Sequence, residues 1–481
     1  MLKPTKTIGT GMANHAAQFG QQLKQHWQTL QHQSENLLNR ALDRHLKIGI
    51  SGFSGSGKST FLTSLIHQLQ YSHHAGLGGF LPARDGRLLA IELEPIPGLP
   101  MFDYQGGIES LASQPPKWPA STRQISGARM QIQFKQKSIW SGMLGEQRQL
   151  TLDIRDYPGE WLVDLPMLSM NYRDWCLDTG RLMQQAPRAE IDSALIADLQ
   201  ALDPLASADE ALIKALFGRY QEFLRQCKQH GLTLLQPGRA LLENNGDLPA
   251  VLPLLNLQAY SQAQLNNAAA DSLYKQLDNF YQQYLKRLVK PFYQQFFTGI
   301  DRQIMLIDVV KALSHGKACF DDMLIAYSRI IDSYQTGSSS QLLNLLAPRV
   351  GKILFLASKP DRIVMHQHEA LRQLMDDIIR RITPQSVRNQ IQIETEIAAA
   401  VRSSNDHQDY LTATLADGRF GELRHPPIPA AIPDADQWQQ FANWQPPVLL
   451  PPLNPDLSMG GRLAHIRMDK VLRDLIGDKF Q

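Results

Sequence analysis

The spacing of hydrophobic residues changes several times along the chain, and each change marks a different element. Between residues 11 and 44, Leu23, Trp27, Leu30, Leu37 and Leu38 recur at roughly helical intervals in a proline-free stretch. That spacing predicts an N-terminal helical lead-in over 1–45. The apolar run Leu46 to Ile50 reads as a buried strand, a Gly/Ser cluster follows it, and Phe61, Leu62, Leu65, Ile66 and Leu69 then have amphipathic-helix spacing. From 72 to 126 the chain turns Gly-, Pro- and polar-rich, interrupted by a strand candidate at Leu88 to Leu93. A connection this long in a compact domain is expected to be functional. Ala128 to Phe134 and Gln149 to Ile154 are further strand candidates, with a turn at about Ser141 to Gly145. The alternation from Met130 to Phe134 suits a half-buried antiparallel edge strand.

From Glu160 to Thr298 the pattern is almost wholly helical. Leu273, Leu277, Phe280, Tyr281, Tyr284, Leu285 and Leu288 make a stripe that reads as core, and Pro187, Pro204, Pro237-Gly238 and Gly246 break the segment into several helices. Apolar runs return at Ile304 to Val310, Val350 to Leu356 and Ile391 to Ala399, separated by helical stretches around 320–333 and 366–382. Strands alternating with helices predict a mostly parallel α/β sheet. The tail, 406–481, is Pro-rich, with a hairpin turn at Asp417-Gly418 and a closing helix over Leu463 to Ile476. The expected organisation is one α/β core, 46–159 and 301–405, interrupted by an all-helical insertion at 160–300 and followed by an extension that packs on the core.

Composition narrows this picture without redirecting it. The 481 residues are 43% hydrophobic and 20% charged, which fits a globular protein and excludes wholesale disorder. The net charge of +2 removes the usual electrostatic basis for a nucleic-acid binder. Cys176, Cys227 and Cys319 lie far apart with no metal-ligand spacing, as expected of buried thiols in a reducing compartment. The first twenty residues lack an apolar signal core, and no run reaches the roughly 18 apolar residues of a membrane span. The expected location is the cytoplasm, with peripheral attachment at the inner membrane left open.

The chemistry concentrates in a few motifs. Gly52-Phe53-Ser54-Gly55-Ser56-Gly57-Lys58-Ser59 fits the phosphate-loop pattern G-x-x-x-x-G-K-[ST] and lies where the pattern requires, between a strand and a helix. Small residues let backbone N–H groups from Ser54 to Thr60 turn towards phosphate oxygens, Lys58 reaches the β- and γ-phosphates, and Ser59 offers a hydroxyl to Mg²⁺. Asp156-Tyr157-Pro158-Gly159 follows a strand and supplies the acidic partner. Asp156 would hold the metal and the Gly159 N–H would sense the γ-phosphate. Thr122, at the end of the long loop, is the candidate closing Mg²⁺ ligand. Arg123 beside it is a candidate for an arginine finger in cis, weighed against an ordinary surface arginine.

Ser358-Lys359-Pro360-Asp361 follows the 350–356 strand and is close to the guanine motif [NT]-K-x-D. There Lys359 would pack on the purine and Asp361 would accept the two guanine N–H groups that adenine lacks. One strand later, Ala400 and Val401 stand where a backbone loop would meet guanine O6. Glu160 occupies the position after D-x-x-G that Ras-like proteins usually give to Gln. A carboxylate there can orient the attacking water but repels the γ-phosphate, so slow intrinsic turnover is expected. Glu160 as a helix N-terminal acid is the alternative.

Together with Trp118-Pro119-Ala120-Ser121-Thr122, Asp301 to Val309 and the ending His465 to Lys470, these motifs resemble the YcjX-like family of bacterial P-loop NTPases over nearly the whole chain. The resemblance implies a Ras-like GTPase core with helical insertions, Mg²⁺ as cofactor, GTP and GDP as substrate and product, and a link to envelope stress. The expected function is a Mg²⁺-dependent GTP-hydrolysing switch with Lys58, Thr122 and Glu160 as catalytic residues and a protein effector reached through the insertion. An ATP-dependent P-loop ATPase and a nucleotide-regulated scaffold for a membrane-associated partner are the alternatives.

Overall fold

In the computed structural model, residues 45–480 are described, apart from 74–75, 123, 138–143, 243–247, 298 and 336–349. The predicted helix over 11–44, Arg123, Gly246 and most of the turn at 141–145 lie outside the described residues. The strand that precedes the phosphate loop, β1 (His45–Gly52), is buried along almost its whole length, because it lies at the centre of a seven-stranded sheet. The other strands are β2 (Leu88–Glu94), β3 (Ser126–Lys137), β4 (Leu144–Asp156), β5 (Arg302–Ile307), β6 (Lys352–Ser358) and β7 (Gln392–Ala398). Their order is β2-β3-β4-β1-β5-β6-β7. From β4 to β7 neighbours run parallel, whereas β2, β3 and β4 pair antiparallel. This is a Ras-like P-loop fold, mixed α/β, with helical parts added.

Helices cover both faces. On one lie α1 (Lys58–Gln70) and a helix near the chain's end, Met468–Ile476, whose Met468, Val471, Leu472 and Leu475 join Ile48, Ile50, Leu152 and Leu354 in one core. On the other lie Gly316–Gln335 and His368–Ile382, packed on Met305, Ile353 and Phe355. Residues 160–300 have a core of their own. Leu273, Leu277, Tyr281 and Tyr284, from the predicted stripe, are buried there against Trp175, Tyr220 and Leu254, so the stripe is packing. Cys176, Cys227 and Cys319 are free and buried, and burial pushes their thiols up, Cys176 and Cys227 to about 12 and Cys319 to about 11.

Several expectations are corrected. The Ala128–Phe134 strand is interior, because β2, recruited from the long loop, takes the edge. The strand read as Ile304 to Val310 ends at Ile307. Asp308 accepts the Lys311 N–H at 3.1 Å and starts a helix, Val309–Ser314, so the carboxylate cap overrides the β-branched pair Val309-Val310. The long loop also contains a helix, Tyr104–Ala112, capped by Asp103. Gly106-Gly107 hides it from propensity reading, yet Gly107 is needed because a Cβ there would meet Thr63 Oγ1 of α1 at 2.4 Å. The segment after Gly159 is a 3₁₀ run, Gly159–Ser169, containing Pro166, rather than an α-helix. The closing helix begins at Met468, five residues later than its apolar pattern suggested.

Leu472 is fully buried in the core that the closing helix shares with α1 and the sheet. Leu472→Ala is expected to lower unfolding stability by about 2–5 kcal/mol, measured as the shift in a denaturation midpoint.

Candidate functional site

The phosphate loop takes its shape from three glycines. Gly55 and Gly57 adopt φ of +84° and +91°, which disfavour any side chain. Gly159 answers a different demand: a Cβ on it would lie 2.2 Å from Gly52 O and 2.9 Å from Phe53 Cα. Only glycine therefore lets the D-x-x-G turn rest directly on the phosphate loop. Beneath the loop, Gln303 donates to Gly49 O at 3.0 Å and to Ser51 Oγ at 2.9 Å, and accepts from Tyr157 OH at 3.2 Å. That buried network ties the floor of the loop to the residue following Asp156.

Parallel pairing puts Asp156 opposite Ile50, at the strand ends where the loop begins. Its carboxylate accepts from the Thr122 hydroxyl, which in turn lies 3.3 Å from Ser59 Oγ. The three oxygen-bearing side chains expected to face a metal are thus in one chain of contacts. Asp156 is 1% exposed, and its Oδ1 has no hydrogen-bond partner among the described residues. Burial pushes its carboxyl above the ordinary range, offset in part by the Lys58 charge and the Thr122 bond. A buried, incompletely paired carboxylate beside two hydroxyls suits a hard, oxygen-seeking cation such as Mg²⁺.

The second cluster lies at the ends of β6 and β7. Lys359, at φ +60°, donates to Gly55 O and pairs with Asp308 at 2.7 Å. Burial opposes the charge of Asp308, but Lys359 and Arg362 outweigh it and hold its pKa below the usual range. Asp361 is 5% exposed and accepts from both the backbone N–H (3.1 Å) and the hydroxyl of Ser403. Ser358 donates to Ile307 O at 3.4 Å. The loop carrying Ala400 and Val401 is pinned from outside: Ser64 Oγ donates to Ala400 O at 2.6 Å, and Ala399 and Ile466 exchange backbone hydrogen bonds. The His465–Lys470 stretch thus borders this loop, and Arg467 pairs with Glu396 of β7 at 2.7 Å.

One cavity of about 790 Å³ joins both clusters. Its walls include Ser54 to Thr60, Thr122, Glu160, Lys359, Asp361, Ala400 and Val401. Asp156 and Gly159 stand behind them, in contact through Thr122 and the phosphate loop. Glu160 is paired with Lys228, 2.8 Å away and 68 residues on in sequence. The tail reaches the same cavity: Trp118 Nε1 donates to Leu449 O at 2.7 Å, and Gln445, Pro446 and Val448 line the wall.

Sequence reasoning missed Ser403, Asp308, Lys311 and Lys228. Asp308 and Lys311 could have been found from their position at the carboxyl end of a parallel strand, where such sheets bind ligands. Ser403 stands two residues beyond Val401, where a serine in a turn carries no signal of its own. Nothing local marks Lys228.

This architecture, with a phosphate loop, a D-x-x-G turn on its backbone and a Lys-Pro-Asp turn facing the same cavity, defines the class as Ras-like P-loop proteins. Residues 46–480 match the model of the YcjX-like family, DUF463, and the chain belongs to that family. It is 34% identical over 475 residues to a Shewanella oneidensis protein named Ras-like GTPase YcjX, covering 93% of this chain and 97% of the relative. It is 31% identical over 474 residues to the Escherichia coli protein of that name, covering 94% and 99%.

Gly159→Ala would force the D-x-x-G turn off the phosphate loop. Calorimetric titration should show triphosphate-analogue affinity reduced at least about tenfold, the equivalent of about 1.4 kcal/mol.

Proposed function

We propose that the chain is a Mg²⁺-dependent GTP-binding and GTP-hydrolysing switch. The observation that carries this reading is that the Ser59–Thr122–Asp156 cluster and the Lys359–Asp361–Ser403 cluster open into one cavity. Backbone N–H groups from Ser54 to Thr60 bind the phosphates, with Lys58 neutralising the β- and γ-oxygens. Ser59, Thr122 and Asp156 are the residues to hold Mg²⁺, whose charge would stabilise the negative charge that builds up during phosphoryl transfer. Asp361 selects guanine by accepting its N1–H and exocyclic N–H₂, while Ser403 keeps the carboxylate aimed. Glu160 orients the attacking water. The D-x-x-G turn runs straight into residues 160–300, so loss of the γ-phosphate at Gly159 is relayed to the insertion, which offers the surface for a protein effector.

If this is correct, wild type binds GDP and GTP analogues far more tightly than the adenine nucleotides. Asp361→Ala should erase most of that discrimination, by up to about 10⁴-fold, in competitive titration. Equal competition by ATP against wild type would favour an ATPase instead.

The link between switch and insertion has a pH signature. Asp164, fully buried in the 3₁₀ run, accepts from the Gly238 N–H at 2.7 Å and from Tyr284 OH, with Arg239 at 3.8 Å. Burial pushes its carboxyl up to about 6, against the pull of Arg239. A carboxyl raised in the folded state favours folding at low pH, and that contribution is lost as pH rises from about 4 through about 6. From 3.8 to about 6, at about 1.4 kcal/mol per tenfold change, the loss is about 3 kcal/mol. Across that window the stability of Asp164→Asn should therefore gain about this much relative to wild type, as followed by denaturation at a series of pH values.

A further inference from the structure

The Glu160 carboxylate sits badly with the function proposed above, because it would lie beside the most negative part of the substrate. The structure supplies an offset from an unexpected part of the chain. Lys228, near the end of the 20-residue insertion helix Glu210–Gln229, reaches the cavity and pairs with Glu160 Oε1 at 2.8 Å. Burial opposes ionisation of Glu160, yet Lys228, with a smaller effect from Lys58, holds its pKa below the ordinary carboxylate range. Glu160 is therefore charged, and it lies within the electrostatic reach of both lysines.

Cations crowd this side of the cavity. A Cβ on Gly55 would lie 3.8 Å from Lys311 Nζ, so Lys311 stands over the phosphate loop. Burial lowers the pKa of Lys311, and the neighbouring Lys359, Arg362 and Lys228 lower it further, although Asp308 acts against them. Lys58, Lys228 and Lys311 thus line one wall, with Glu160 the carboxylate among them. Lys359 is already committed to Gly55 O and Asp308, whereas the Lys228 ammonium keeps a 37% exposed side chain and, among the described residues, a single carboxylate contact. A flexible stem with three donors can turn from Glu160 to a phosphate oxygen without leaving the cavity.

We infer that Lys228 is a cation supplied in cis by the helical insertion to the γ-phosphate, held on Glu160 until a nucleoside triphosphate enters. When the phosphate takes the ammonium, Glu160 is freed to act on water and its repulsion of the phosphate is screened. The insertion thereby contributes to the chemistry as well as responding to it. This inference rests on the GTPase reading of the site.

The test compares wild type, Lys228→Ala and Lys228→Arg in three measurements: GDP affinity, affinity for GDP with aluminium fluoride as a mimic of the transferring phosphoryl group, and single-turnover GTP hydrolysis. The expected result is GDP affinity within about twofold in all three proteins. Lys228→Ala should lose at least about tenfold in aluminium-fluoride capture and at least about 10²-fold in hydrolysis, with Lys228→Arg recovering much of both. Wild-type capture and turnover in Lys228→Ala would overturn the inference while leaving the GTPase reading intact. A parallel loss of GDP affinity in Lys228→Ala would also overturn it, by assigning Lys228 to the integrity of the pocket. No guanine-nucleotide binding by wild type would overturn the GTPase reading itself, and this inference with it.

Discussion

A carboxylate buried without its full complement of partners governs the arrangement of the site. Asp156 ends β4 in register with Ile50 of β1, so burying the apolar faces of these two strands drives a charged group into the fold directly behind the phosphate loop. An ionised carboxylate in that position is costly unless cations and donors surround it. The neighbouring Lys58, Thr122 and Ser59 answer that demand in part, and Oδ1 keeps no hydrogen-bond partner among the described residues, which is what the metal proposed above would use. Thr122 stands four residues before Ser126, which pairs with Asp156 at the start of β3, so the end of the long connection is delivered to the carboxylate by strand pairing as well as by the hydroxyl.

From that point the structure extends outward through short, direct contacts. Gly159 lies against the Gly52 carbonyl, and in the 3₁₀ run that follows Glu160 bonds to Lys228 and Asp164 to the Gly238 N–H. Residues 160–300 bury most of their apolar side chains in one cluster around Trp175 and Tyr281, while Leu162, Leu165, Phe292 and Phe297 pack into the core beneath the sheet. On the far side of the sheet, the Met468–Ile476 helix seals the core, and the stretch before it braces the loop of Ala400 and Ser403. The proline-rich tail is therefore built into the nucleotide fold. Its Val448–Leu450 segment pairs with Thr414 and Ala416 and borders the cavity opened by Trp118.

Much of the fold was legible because its signals are local. Each strand of the sheet coincides with an apolar or alternating run in the sequence, and the phosphate loop, the D-x-x-G turn and the Lys-Pro-Asp turn each follow a strand end, as their chemistry requires. Two of the misreadings share one cause. Gly106-Gly107 and Val309-Val310 have the wrong intrinsic preference for a helix, and a single aspartate cap plus packing overrode each. The edge strand was misplaced because alternation reports one exposed face and says nothing about which neighbour covers a strand's backbone.

By itself the sequence determined which chemistry is present. The phosphate-loop, D-x-x-G and Lys-Pro-Asp patterns place lysine, serine, aspartate and glycine at fixed spacings around strand ends, and those spacings are legible because they are set by backbone geometry within one turn. Tertiary structure decided what surrounds that chemistry. Glu160 meets Lys228 across 68 residues, Asp361 meets Ser403 across 42, and Trp118 meets Leu449 across 331. Contacts of that separation arise only when burial of two distant apolar faces brings their polar rims together. A lysine on an insertion helix therefore looks like any solvated surface charge until the fold places it beside the phosphate loop.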